Sequence, residues 1–419
     1  MWLVAACTPT STITGNPGAD TAVADTEVEN APGDTGRDTG EVDPPEPAMT
    51  APGTATLTCD GPLTTNDTRC VFEAWWPDGT LEVSSQADVR VRGRSSEGFP
   101  KHQFGMEFVD DAGEPTSAEL FGMGSEGDWV LNGMWIDRAL FRNKFAFDLF
   151  RELGGGADWA PESVYVELTI DGDYVGLYLL NETVDRDASR LDFAEDDGTG
   201  SRFIVAASED GIASTVQYGS WEVDYPTDPS PQAVTNIAAR LGDWEREITA
   251  GGDPFTEMDL DSFVLFVLIE ELVKNNDGYY LSHRVYTGDD GFLHMVPWDL
   301  DLSLGQPSYN DNENPYSWIA YRPAIVADSA NDAFHARFSS VWAEAREGLL
   351  ATDAVLARQE AYRAHMGDAI NRNWARWDIM DVDFGGYLYV VSSPEEEYAR
   401  VSAWTEARLE WMDAAVESY

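Results

Sequence analysis

Apolar and polar side chains alternate with a period of two through much of residues 80 to 180, and helical spacing takes over after about residue 330. Val89 and Val91 share one face of a strand, with Arg90, Arg92 and Arg94 on the other; Phe104, Met106 and Phe108 repeat the period in the next strand. The connecting segment, Gly93 to Lys101, carries Ser95, Ser96, free amides and cations, the groups that hold a phosphate; it also reads as an ordinary hairpin loop. Asp137 is placed to cap a helix through Leu153, with Leu140, Phe141, Phe145, Leu149 and Leu153 along one side and three glycines stopping it. A hairpin follows over 164–170 and 174–180, turned at Asp171-Gly172-Asp173 and ending in Asn181-Glu182. Asp259 or Asp261 caps a very apolar helix through about Lys274, which delivers the chain to Asn275-Asn276-Asp277.

A second hairpin is predicted over 279–287 and 291–299, turned by Gly288-Asp289-Asp290-Gly291. Folding it about position 289 sets Asp277 opposite Asp301, with Cα atoms roughly 4.5–5.5 Å apart if the ladder extends that far. Asp299 then shares a face with Asp301. Three carboxylates this close repel unless a proton or a cation sits among them, so the cluster reads as a divalent-metal site or, more plainly, as a solvated hairpin end. Beyond Gly305 a polar, aromatic loop of about 20 residues precedes helices near 331–349, 352–374 and 395–417, the last opened by Pro394 and three glutamates. The fold class is therefore α+β, β-rich in its N-terminal part and helical in its C-terminal part.

Composition changes this picture in two ways. The chain holds 76 acidic and 26 basic residues, a formal charge of −50, so acidic side chains alone say little and the cations stand out. Residues 90–101 and 138–151 each carry a net +3, which makes them candidate anion sites; Arg142 lies in the second. An extended positive surface is lacking, which argues against a nucleic-acid partner. Residues 8–54 are rich in Thr, Gly, Pro and acids with almost no large apolar side chain, and read as a disordered tether. Residues 1–7 end in Leu3-Val4-Ala5-Ala6-Cys7, similar to the cleavage box of a bacterial lipoprotein signal, so Cys7 is the expected lipid-anchored residue of an extracytoplasmic protein, although the long apolar and basic parts of such a signal are absent. Cys59 and Cys70 flank a short polar loop and suit a disulfide.

In chain order, a lysine after a Ser-rich loop, a glutamate at a hairpin end, an aspartate after a helix and an Asp-x-Asp match the parts of a kinase. Val91-Arg92-Gly93-Arg94-Ser95-Ser96 with Pro100-Lys101, Asp128-Trp129-Val130-Leu131, Leu140-Phe141-Arg142-Asn143, Gly176 through Glu182, and Pro297-Trp298-Asp299-Leu300-Asp301 together resemble the CotH family of spore-coat-type atypical protein kinases. The resemblance runs from about residue 80 to 310, within an expected core of 55–310 followed by a helical part, 311–419, of the same unit. It implies a divergent kinase-like fold and a secreted or surface enzyme that uses ATP with magnesium or manganese to phosphorylate serine or threonine of a protein substrate. By the same resemblance Lys101, paired with Glu182, holds nucleotide phosphates together with Arg94, Ser95, Ser96 and Arg142; Asp299 and Asp301 bind metal; and Asp277 is the catalytic acid. The pattern departs at Arg94 and His102, and the segment after Asp277 lacks the asparagine a kinase uses for its second metal, leaving Ser282 or His283 as substitutes. A non-catalytic surface scaffold of kinase shape and a metal-dependent nucleotide-sugar transferase are the alternative readings.

Overall fold

A computed structural model of the chain describes residues 49–214, 219–275, 277–307, 311–319, 332–384 and 388–419. Cys7, most of the tether and the Ser95 side chain lie outside the described residues. Pro47–Tyr419 forms one compact unit. Its first strand starts at Gly53, slightly inside the segment read as tether.

Seven strands close into a barrel in the order β1 (Gly53–Cys59), β2 (Thr68–Trp75), β3 (Leu81–Arg92), β4 (Gln103–Val109), β7 (Asp128–Asn132), β9 (Asp173–Glu182) and β8 (Ser163–Ile170), with β8 returning parallel to β1. The two-residue strands β5 (Ala118–Glu119) and β6 (Ser125–Glu126) pair outside it. The alternation read from the sequence is what fills the barrel: Val89, Val91, Phe104, Met106, Phe108, Trp129 and Leu131 point inward, and Arg90 and Arg92 point away. Cys59 and Cys70 face each other across β1 and β2 and are joined by a disulfide.

A second sheet has the order β11 (Ile212–Ala213), β12 (Ser220–Tyr225), β10 (Ile204–Ser208), β13 (His283–Thr287) and β14 (Leu293–Pro297). Helices α1 (Arg142–Leu153), α2 (Pro231–Ala250), α3 (Leu260–Val273), α4 (Asp332–Arg346), α5 (Thr352–Met366), α6 (Ala369–Arg376) and α7 (Pro394–Ala415) supply the rest. One apolar core runs through α1, α3, the second sheet and the last helices, so the C-terminal segment belongs to the same body as the hairpins. Every α3 residue from Ser262 to Val273 is buried, as its unbroken apolar run requires, and the Asp259 side chain caps it by accepting from the Ser262 amide. The chain leaves α3 through Lys274 in the left-handed conformation (φ 51°), whose ammonium donates to the Asp311 and Asn314 carbonyls and to Ser317 Oγ. Gly367, at φ 49°, ends α5 and splits the long helix expected over 352–374.

Two readings need correction. Asp137 is not the residue next to the helix: α1 begins at Arg142, although the Asp137 carboxylate does accept from the Arg142 amide at 2.8 Å. The β13–β14 hairpin pairs His283 with Pro297, a register two residues away from a fold about position 289, and its ladder ends there. Asp277 and Asp301 are therefore not partners on adjacent strands, and Asp299 sits in a left-handed turn (φ 53°) rather than in a pleat.

Candidate active site

A cavity of about 440 Å³ opens between the barrel, the second sheet and the start of α1, within the roughly 300–1,000 Å³ common for small-molecule sites. Asp277, Asp299 and Asp301 all line it. Turns, not a strand ladder, bring them there: the Trp298 amide donates to the Ser282 carbonyl (3.1 Å), Leu300 N to Asn143 Oδ1 (2.6 Å) and Leu304 N to the Val273 carbonyl (2.7 Å). These bonds tie the segment after β14 to the loop after α3 and to α1.

The acids feel one another. Burial pushes the Asp301 carboxyl well above the usual range, and Asp299, Asp137 and Asp277 push it further. Asp299 is raised too, first by enclosure and then by Asp277, while Arg92 and Arg284 pull it back; water still reaches it through the cavity, so its desolvation is partial. Arg92, half-buried, and Arg284 bracket the Trp298 ring, their guanidinium carbons 5.7 and 4.7 Å from its centroid. Burial, then the charge of Arg284, draws Arg92 down to about 10. Arg284 lies 3.4 Å from the Asp224 carboxylate, whereas among the described residues no carboxylate lies within salt-bridge distance of Arg92. Arg92 is thus an available cation opposite crowded anions, the pairing a metal-bound polyphosphate would complete.

Hard carboxylate oxygens under mutual repulsion fit a magnesium-like ion. Among the described residues no group of three carboxylate, histidine or cysteine side chains stands placed to hold a metal ion by itself. Asp299 and Asp301 are the residues that would hold it.

Several expected ligands lie elsewhere. Lys101 is interior: its ammonium donates to the Leu177 carbonyl (2.6 Å) and Asn373 Oδ1 (2.7 Å) and rests on the Tyr178 ring, joining the barrel to α6. Room for it comes from Gly176 (φ 117°), where a Cβ would stand 2.7 Å from Asn373 Oδ1 and 3.1 Å from Lys101 Cε. Glu182 does not pair with Lys101. It is five residues along β9 from Leu177, about 16 Å of extended chain, and instead accepts from the Glu162 amide (2.8 Å) with Arg190 at 3.8 Å. Burial lifts its carboxyl to about 7. Arg142 is fully buried, binds Asp137 (2.5 Å), Glu397 (2.9 Å) and the Ser303 carbonyl (2.8 Å), and does not line the cavity, so it is not placed to hold a phosphate there. Burial alone would raise the Glu397 carboxyl, but Arg142 and Arg400 bring it down to about 2.

Arg94 and Ser96 do line the cavity, although Arg94 is bonded to Glu209 and Ser208 at 3.0 Å each. Ser282 lines it as well. His283 does not; its Nδ1 meets the Gly278 carbonyl at 2.9 Å between Trp221 and Phe266, and burial lowers it to about 4. Sequence reasoning missed Arg284, Trp298 and Asn143 as site residues. Arg92 fell within the 90–101 candidate anion site without a role of its own, and strand alternation already put it opposite Val89 and Val91. Asn143 and Trp298 stood inside quoted motifs without a role, and Arg284 carried no signal.

Against this geometry, the CotH kinase protein family matches residues 89–412, most of the chain. The chain belongs to that family. It is 21% identical over 238 residues to inner spore coat protein H of Bacillus subtilis strain 168, covering 54% of this chain and 60% of that relative. The match thus spans about three fifths of the relative's length, and all three cavity acids of this CotH-family chain fall inside the family region.

Proposed function

We propose that this CotH-family protein is a protein kinase of divergent kinase-like fold, which transfers the γ-phosphate of ATP to a serine or threonine hydroxyl of a protein. The observation that carries the reading is the convergence of Asp277, Asp299 and Asp301 with Arg92 in one cavity. The triphosphate lies along Arg92 and the free amides of the Gly93–Ser96 loop, in place of the buried Lys101. Asp299 and Asp301 hold magnesium or manganese, which neutralises phosphate charge and screens the acids from one another. Asp277 accepts the proton of the attacking hydroxyl as that oxygen bonds to the γ-phosphorus and the bond to the β-phosphate bridging oxygen breaks, releasing ADP. Its substrate is a protein outside the cytoplasm, with Cys7 as lipid anchor; the Cys59–Cys70 disulfide supports an oxidising compartment.

Incubation with labelled ATP and magnesium should label a protein acceptor in a metal-dependent way, and Asp277→Asn should lower the rate by roughly 10²–10⁴ while nucleotide binding persists. A wild-type protein that ATP stabilises without any transfer to candidate acceptors would favour the non-catalytic scaffold, which the withdrawal of Lys101 from the cavity also favours. Stabilisation by a nucleotide sugar but not by ATP would favour the transferase.

A further inference from the structure

Asn143 is the second residue of α1, only 3% exposed, and lines the cavity beside the Asp299-Leu300-Asp301 turn. Its orientation follows from its neighbour. The Leu300 amide can only donate, so the atom 2.6 Å from it is the Oδ1 acceptor, and Nδ2 is left on the other side. Nδ2 is buried and has no hydrogen-bond partner among the described residues. Buried polar groups without partners are uncommon and call for a missing one. The cavity's other two asparagines differ: Asn132 accepts from the Met134 amide (2.8 Å) and Asn181 donates to the Glu182 carbonyl (2.9 Å), and neither has a buried, unpartnered atom. The first turn of α1 is held by Arg142, whose guanidinium grips Asp137, Glu397 and the Ser303 carbonyl. The arrangement is a fixed, unpartnered donor on a residue that lines a cavity already holding a cation and three acids.

We infer that Asn143 is a ligand-binding residue: Nδ2 donates to a phosphate oxygen of the nucleotide held in the cavity, while Oδ1 sets the turn that carries Asp299 and Asp301. The inference rests on the phosphoryl-transfer reading and assigns it a phosphate donor distinct from the arginines. Asn143→Asp separates the two halves of the side chain, because it keeps an oxygen for Leu300 and replaces the donor with a second oxygen. Asn132→Asp adds the same charge to the same cavity and keeps its bond to Met134, so it measures the effect of charge alone.

The test is calorimetric titration of the full chain with a non-hydrolysable ATP analogue and magnesium, alongside melting temperatures. Loss of a hydrogen bond to a charged oxygen should weaken binding roughly 10- to 100-fold in Asn143→Asp, clearly more than in Asn132→Asp. Asn143→Ala, which loses both bonds, should melt lower and lose comparable affinity; it decides the matter if the aspartate variant does not fold. Equal losses in the two aspartate variants, or wild-type affinity in Asn143→Ala, would overturn the assignment. If wild-type protein binds no nucleotide, the phosphoryl-transfer reading falls and this inference with it; if wild type binds and Asn143→Asp binds as tightly, Asn143 alone is wrongly assigned.

Discussion

Replacing Lys101 by methionine should leave nucleotide binding intact, and the reasoning can be made quantitative. The ammonium is buried with two hydrogen bonds, to Leu177 O and Asn373 Oδ1, and no carboxylate within salt-bridge distance among the described residues. Each charge-assisted bond contributes about 1.5–3 kcal/mol, while taking an ammonium out of water costs several kcal/mol. These terms nearly cancel. Methionine fills similar volume without the charge and Asn373 Oδ1 keeps the Leu177 amide as donor at 3.1 Å, but the Leu177 carbonyl loses the ammonium, so the net loss should be about 1–3 kcal/mol. Lys101→Ala opens a cavity beneath Gly176 as well and should cost about 3–5 kcal/mol. Urea denaturation gives both numbers, and titration with an ATP analogue at a temperature where both variants are folded should give affinities within about threefold of wild type. Arg92→Met should do the reverse, changing stability little and weakening nucleotide binding roughly 10- to 100-fold. A stable Lys101→Met variant that no longer binds nucleotide would refute the separation of Lys101 from the cavity.

Other outcomes follow from the same geometry. Asp301→Asn should stabilise the metal-free protein while abolishing transfer. Because the folded carboxyl is raised above its unfolded value of about 3.9, the native state holds the extra proton, and wild-type stability falls as pH rises through the folded value. The melting-temperature advantage of Asp301→Asn should therefore be near zero below about pH 4 and grow toward pH 8; a constant difference across that range would contradict the electrostatic cause. Magnesium with nucleotide should raise the melting temperature more at pH 8 than at pH 5.5, since metal competes with protons for Asp299 and Asp301, and differential scanning fluorimetry at the two pH values reads this directly. Changing Cys59 and Cys70 to serine opens a loop of sequence separation 11 and should cost about 2–3 kcal/mol in urea unfolding, with nucleotide affinity unchanged.

Periodicity made much of the barrel readable, because inward and outward residues differ in polarity on β3, β4 and β8, whereas β9 is apolar on both faces and was read from its turn. The late helices were readable from caps and spacing, apart from the break at Gly367. The second sheet was not: β10 is buried at every residue and shows no alternation, and β12 and α2 went unassigned although the turn signals around them, such as Asp210-Gly211 and Pro229-Ser230-Pro231, are present in the chain. At the cavity, the acids were legible because they cluster in 25 residues of chain. Lys101 was misread because scarcity and a neighbouring serine loop suggested a phosphate, whereas its partners are a carbonyl in β9 and Asn373, 272 positions away. No local pattern encodes such a contact, although a glycine inside a strand, Gly176, is the usual trace of something packed close. Glu182 was misread for the same reason, since its partner Arg190 lies on a loop beyond the hairpin.

The most direct measurement is a crystal structure with a non-hydrolysable ATP analogue and manganese, with anomalous scattering recorded at the manganese edge. The account expects a metal peak bound by Asp299 and Asp301, triphosphate oxygens against Arg92 and Asn143, and Asp277 facing the γ-phosphate. A nucleotide bound at Lys101 or on another surface, or manganese absent from the acids at saturating ligand, would contradict it.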